Sequence, residues 1–104
     1  MTTLEKVRRL EKYIATDDAS VDTVLDLALD KMLSREIERL LDFQKSLQRQ
    51  LDAFENQYNM GSSAFYAAYE QGKMGDDMDF VEWAATIEMA TNLRNRLSIL
   101  QSPA

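Results

Sequence analysis

The sequence predicts an all-α fold in which one long helix and an antiparallel C-terminal helix form a hairpin. Only three Gly and one Pro occur in 104 residues, which disfavours a turn-rich β sandwich. From Val21 to about Tyr58 the chain has no Gly, no Pro and no turn cluster, while apolar residues recur at helical spacing. The length fits a single helical domain, residues 1–104, with a core of modest size because 45% of the residues are apolar.

The first predicted element is a short helix over residues 3–16, within an N-terminal segment of residues 1–19. One face is apolar, with Leu4, Val7, Leu10, Tyr13 and Ile14 at three- and four-residue spacing. The other face is basic, with Lys6, Arg8, Arg9 and Lys12. Ser20 is expected to cap the next helix, because a hydroxyl at this place accepts a free backbone N–H.

The long helix is expected within residues 20–60 and spans roughly 38 residues, on the order of 57 Å. A small domain cannot surround a rod of that length. Its seam alternates steps of four and three residues, which is a heptad pattern. The seam consists of Leu33, Ile37, Leu40, Gln44, Leu47, Leu51, Phe54 and Tyr58. Gln44 either fixes the register or the oligomeric state of the helix, or it is simply a polar residue tolerated at a partly wet position.

The turn of the hairpin is expected in residues 61–75. Gly61 is the expected left-handed residue that ends the long helix, and a short helix follows from Ala64 to Gln71. The last helix lies within residues 76–101, with Asp76, Asp77 or Asp79 as its cap. At roughly 21 to 24 residues it covers only the second half of the long helix.

The first half of the long helix is therefore left with uncovered apolar surface, about 20 Å of it beyond the end of the last helix. The N-terminal helix can cover only one side of this excess, and a wide apolar surface needs cover on others. We expect a homodimer through this surface. The candidate interface residues are Leu25, Leu29, Met32, Leu33, Ile37, Leu40 and Phe43.

Seven of the nine aromatic residues lie between Phe54 and Trp83. Aromatic residues interleaved with basic ones can stack on nucleic-acid bases, but the only basic residue in this window is Lys73, among six acidic ones. We therefore expect a local core that holds the helical turn together. The candidate residues of this aromatic turn core are Phe54, Tyr58, Phe65, Tyr69, Phe80 and Trp83.

The composition restricts the chemistry of the chain. It contains no Cys, which excludes disulfides and thiolate metal sites. It contains no His, which removes the commonest general base and the commonest neutral metal ligand. We expect no enzyme activity, no cofactor and no metal site. The acidic segment 76–82 could bind a divalent cation, but its spacing does not match a calcium loop, and helix capping is the simpler interpretation. A Mg²⁺-dependent hydrolase that uses Asp79 and Glu82 is kept only in reserve.

The location and partners are also expected from the sequence. No apolar run is long enough to span a membrane and no signal-peptide core is present, so we expect a cytoplasmic protein. The formal net charge of −6 argues against general nucleic-acid binding. Weak DNA contact through the basic N-terminal helix of a dimer is the exception.

The turn region resembles a known group of proteins. The residues that carry the resemblance are Asn59-Met60-Gly61-Ser62-Ser63-x-Phe65-Tyr66 and Tyr69-Glu70-x-Gly72-x-x-Gly75-Asp76-Asp77-x-Asp79-Phe80-x-Glu82-Trp83, preceded by Val21-Asp22-x-x-Leu25-x-x-Ala28-Leu29-x-Lys31-Met32-Leu33. Over roughly residues 20–100 the chain is similar to small all-helical proteins of bacteria and archaea that are uncharacterised or antitoxin-like members of toxin–antitoxin-type gene pairs. The resemblance implies a partner protein and no catalytic residue.

Three hypotheses of function follow. The first is a non-catalytic protein–protein interaction module, antitoxin-like, which binds and neutralises a basic partner protein. An acidic helical protein with spare apolar surface suits that role, because complementary fields speed association. The alternatives are a DNA-contacting regulator that uses the basic N-terminal helix of a dimer, and a purely structural homodimer.

Overall fold

A computed structural model describes residues 1–16 and 22–103 of the chain, and these residues form helices without a β-strand. The elements in chain order are α1 (Thr3–Thr16), α2 (Thr23–Tyr58), α3 (Ser62–Glu70) and α4 (Met78–Gln101). The predicted all-α class is confirmed. The chain divides into two compact units, residues 1–34 and residues 35–104, with the boundary inside α2.

Acidic side chains cap the starts of α2 and α4. Asp22 Oδ1 accepts a hydrogen bond from the Val24 backbone N–H at 3.0 Å, next to the start of α2. The predicted cap at Ser20 lies outside the described residues. Asp77 caps α4, because its side chain accepts from the Asp79 backbone N–H at 2.9 Å. One of the three predicted Asp caps is thus confirmed, and each cap satisfies a free N–H of a helix start.

The predicted role of Gly61 is wrong. Gly61 has φ −71° and ψ 147°, which is extended backbone, and it precedes α3 as its N-cap. The left-handed residue after α2 is Asn59, with φ 51°. Asn tolerates this conformation better than most residues, because its short polar side chain forms local hydrogen bonds. The left-handed residue after the long helix therefore lies two residues earlier than predicted, and α3 starts directly after Gly61.

The second unit is built on the predicted hairpin, in which α2 packs antiparallel against α4. Away from the turn, Leu40 and Leu47 of α2 form one buried cluster with Leu93 and Leu97 of α4. Close to the turn, Leu51 packs in a second cluster with α3 and the start of α4. Apolar positions of α2 and α4 therefore meet in reverse order, and burial of these side chains is the main stabilising contribution to the unit.

A helix that spans a lipid bilayer contains about 20 consecutive, mainly apolar residues. Neither 1–16 nor 22–103 contains a helix that is both long and apolar enough.

Candidate interaction site

The aromatic turn core holds α3 against the hairpin. All six predicted residues lie in one cluster around Trp83 and Phe65, which are both fully buried. The Phe65 and Trp83 rings are stacked with centroids 3.9 Å apart, and Phe54 stacks on Trp83 at 5.5 Å. These side chains are the core of the unit rather than an open platform for a ligand, because the two central rings have no accessible surface.

Two polar residues, Ser62 and Glu55, complete this core. The Trp83 Nε1–H donates to Ser62 Oγ at 3.0 Å, and the Ser62 backbone N–H donates to Glu55 Oε2 at 2.8 Å. Glu55 of α2 thus caps the first turn of α3, where a helix presents free N–H groups. A Glu seven residues before a Ser is no recognised capping pattern, so nothing in the sequence indicates this contact.

Tyrosine–carboxylate pairs tie the helices together at the surface of the same core. The Tyr58 hydroxyl donates to Asp79, and this hydrogen bond is the main cause that raises the pKa of Tyr58 to about 12. The Tyr66 hydroxyl donates to Glu88 Oε1 at 2.9 Å, and this bond likewise raises the pKa of Tyr66. The carboxylate favours the protonated phenol over a second negative charge beside it.

The acidic segment 76–82 has structural roles in this arrangement. Asp77 caps α4, and Asp79 accepts hydrogen bonds from Tyr58 and Gln57. Within residues 1–16 and 22–103, no three acidic side chains are grouped so that they could hold a metal ion. The geometry of the segment therefore fits the capping interpretation.

The first unit, residues 1–34, differs from the second unit in how little of it is buried. Not one of its described residues is buried. Among the described residues fourteen large apolar side chains are exposed, and nine of these lie in this unit. They are Met1, Leu4, Val7, Leu10, Tyr13, Val24, Leu27, Met32 and Leu33. A third of the chain thus carries most of the exposed large apolar side chains of the described residues, which marks a candidate interaction surface.

The structure separates the seven predicted interface residues into three groups. Leu25 and Leu29 are half-buried, and the exposed members are Met32, Leu33 and Phe43. Ile37 and Leu40 instead pack in the hairpin core with α4, and Leu40 keeps only 3% of its surface exposed. A partner therefore cannot contact Leu40 unless α4 moves away.

The first unit carries basic residues on α1 and acidic residues at the start of α2. The four basic residues of α1 are all exposed: Lys6, Arg8, Arg9 and Lys12. At the start of α2, Asp22, Asp26 and Asp30 are exposed at four-residue spacing, so they follow one side of the helix. An incoming helix or loop that covers the apolar residues of α2 therefore meets an acidic row.

Two of the grooves on the second unit differ in the helices that line them. One, of about 490 Å³, is lined by residues of all three helices, including Tyr66 of α3 and Arg94 of α4. The other, of about 460 Å³, is lined by α2 and α4 alone, with Ala53, Phe54, Glu82 and Ala85 among its residues. The helix α3 thus covers one side of the hairpin, and the other side is open.

Among known proteins, no protein-family model, no curated protein and no solved structure matches this chain.

Proposed function

We propose that this chain is a non-catalytic, antitoxin-like interaction module that binds a basic partner protein through its first unit, residues 1–34. The observation that carries the proposal is the absence of any buried residue among the described residues of this unit, together with its nine exposed large apolar side chains. Such a surface is typical of a segment that is completed by another protein.

The stability of the first unit supports this proposal. The helix α1 has 14 residues, and isolated helices of this length are marginal in water. Burial of apolar surface contributes about 25 cal/mol per Å², so a partner that covers Leu4, Leu27 and Leu33 would stabilise the helices as it binds. Binding and ordering of this unit would then be coupled.

Electrostatics supports a basic partner. The chain carries a formal net charge of −6, and the row Asp22, Asp26, Asp30 borders the apolar positions of α2. A negative field raises the association rate of a positively charged protein and disfavours acidic competitors. The resemblance to antitoxin-like proteins implies a partner of the same kind.

The test is affinity capture from the organism of origin, followed by reconstitution with the purified partner. We expect one basic protein at a stoichiometric amount with the wild-type chain. The double variant Leu27→Asp/Leu33→Asp should lose it, because two charges then stand in the apolar surface. Val81→Asp is the matched control, since Val81 is exposed in the second unit.

Circular dichroism of each variant separates lost binding from lost helix. A partner that is retained equally by the double variant would show that the first unit is not the binding surface. A chain that is recovered alone, and that binds no basic protein encoded by a neighbouring gene, would contradict the proposed function.

DNA binding by α1 is a second candidate function, favoured by the exposure of all four basic residues of that helix. Two α1 helices in a dimer would bring eight positive charges near the phosphates. Binding of this kind weakens steeply with salt. A gel-shift experiment with the chain's own promoter fragment at low salt tests it, and Arg8→Ala/Arg9→Ala should abolish any shift.

A further inference from the structure

The helix α4 has a second row of residues, on the side that α2 and α3 leave open. We call it the outer row: Met78, Glu82, Ala85, Met89, Asn92, Arg96 and Ile99. Its members alternate in steps of four and three, as in the contact seam of paired helices, and all seven are exposed. Four of its seven members are apolar, so α4 carries exposed apolar residues on this side in addition to its apolar inner side.

The charges of the outer row are arranged symmetrically. Glu82 lies seven residues before Met89, and Arg96 lies seven residues after it. At 1.5 Å per residue each charge is about 10.5 Å from Met89 along the helix, in opposite directions. Reversing the direction of the helix therefore exchanges the positions of the negative and the positive charge.

The surroundings leave this row accessible. Glu82 and Ala85 line a groove of about 460 Å³ between α2 and α4, whose lining also includes the small side chain of Ala53. Near the other end, Glu36 is already held by the Arg39 guanidinium at 2.9 Å. Arg39 is the main cause that lowers the pKa of Glu36. Arg96 itself is exposed on α4.

We propose that the outer row binds a second copy of this chain, with the two α4 helices crossing antiparallel on a two-fold axis at Met89. In this arrangement Glu82 of each copy faces Arg96 of the other, and the two Met89 side chains meet in the centre. The same surface patch then serves both copies, as a two-fold interface requires. The two hairpins together form a four-helix arrangement.

The charge pattern favours a second copy over a foreign protein and the antiparallel direction over the parallel one. A parallel pair would place Glu82 opposite Glu82 and Arg96 opposite Arg96, and like charges in an interface are costly. The antiparallel pair satisfies both charges twice. This interface is separate from residues 1–34, so it holds or fails independently of the proposed function.

Charge reversal tests the pairing. The chain has a mass of 12.0 kDa, and light scattering should give twice this value for the wild type. Glu82→Arg leaves two Arg in the row, and Arg96→Glu leaves two Glu. The dissociation constant of the dimer should therefore rise at least about tenfold for each variant alone. A one-to-one mixture of the two variants should form a dimer again, because unlike rows then meet.

Cysteine cross-linking tests the direction of the helices. The chain has no Cys of its own, so Met89→Cys places a single thiol at the proposed axis. Mild oxidation should link two copies of this variant through their thiols. Ile99→Cys is the matched control at another exposed position of the row, and it should remain unlinked because antiparallel helices hold the two positions apart.

Each remaining outcome overturns the proposal. Efficient linking at both positions indicates a parallel pair, and linking at neither indicates that α4 is not the interface. A wild type of single-chain mass at high concentration excludes the dimer. A dimer that is lost with Leu33→Asp but not with the charge reversals lies in the first unit instead.

Discussion

Phe65 of α3 and Trp83 of α4 stack with an angle of only 4° between their rings, and neither side chain is accessible to solvent. The indole N–H of Trp83 also donates to Ser62, at the start of α3. A nine-residue helix has little stability of its own. The position of α3 on the hairpin therefore depends on this pair of rings and on the hydrogen bond beside it.

Removal of one ring should strongly destabilise the second unit. Phe65→Ala is expected to lower the free energy of unfolding by about 3–5 kcal/mol, because it leaves a cavity next to Trp83. Urea unfolding followed by the fluorescence of Trp83, the only tryptophan, measures this loss. Phe43→Ala removes an exposed ring and serves as the control, with an expected loss under about 1 kcal/mol. Equal losses for the two variants would contradict the stacked core.

Leu33 and Leu40 should respond differently to the same substitution. Leu40→Asp buries a charge between α2 and α4, and we expect it to unfold the second unit. Leu33 is 48% exposed, so Leu33→Asp should leave the helix content intact and weaken only the binding of a partner to the first unit. Circular dichroism and light scattering of the two single variants separate these effects. Loss of helix with Leu33→Asp would show that Leu33 is covered within the chain.

Much of the second unit could be predicted from the sequence, because its contacts are repetitive and apolar. The spacing of Leu40, Leu47 and Leu51 indicates the seam of α2, and the density of aromatic residues indicates the turn core. What this spacing does not indicate is which molecule covers the seam. Leu40 fits a dimer contact as well as it fits the contact with α4 that the structure shows.

The residue that ends α2 and the exposed row on α4 were harder to predict from the sequence. Asn and Gly both tolerate positive φ, so the sequence alone could not decide between Asn59 and Gly61 as the end of α2. The sequence does not indicate the outer row of α4, because the inner apolar residues already account for a helix there. Only the exposure of Met78 and Met89 in the structure separates the two sides.

Two glycines of the turn should respond oppositely to serine. Gly61 has ordinary extended backbone with open space around it, so Gly61→Ser adds a side-chain N-cap and should stabilise the protein by about 1 kcal/mol. Gly72 has φ 73°, so Gly72→Ser should destabilise it by about 1–2 kcal/mol. Thermal unfolding of both variants provides the measurement. A loss of stability with Gly61→Ser would indicate that the α3 start needs a glycine for another reason.

The bond between Tyr58 and Asp79 should make stability depend on alkaline pH. The pKa of Tyr58 is raised from 10.0 to about 12 in the folded chain, chiefly because its hydroxyl donates to the Asp79 carboxylate. The folded state thus holds the phenol proton more tightly than the unfolded state. This contribution is fully present below pH 10 and is lost as the pH rises towards 12.

Tyr58→Phe tests this contribution, because it removes the hydroxyl and keeps the ring against Phe80 and Trp83. Near neutral pH the variant should be less stable than the wild type, because it lacks this one hydrogen bond. Between pH 10 and 12 its unfolding midpoint should fall less steeply than that of the wild type. Tyr66→Phe is the matched comparison, since Tyr66 donates to Glu88 in the same way. Parallel curves for wild type and Tyr58→Phe across this range would mean that Tyr58 and Asp79 are not paired in solution.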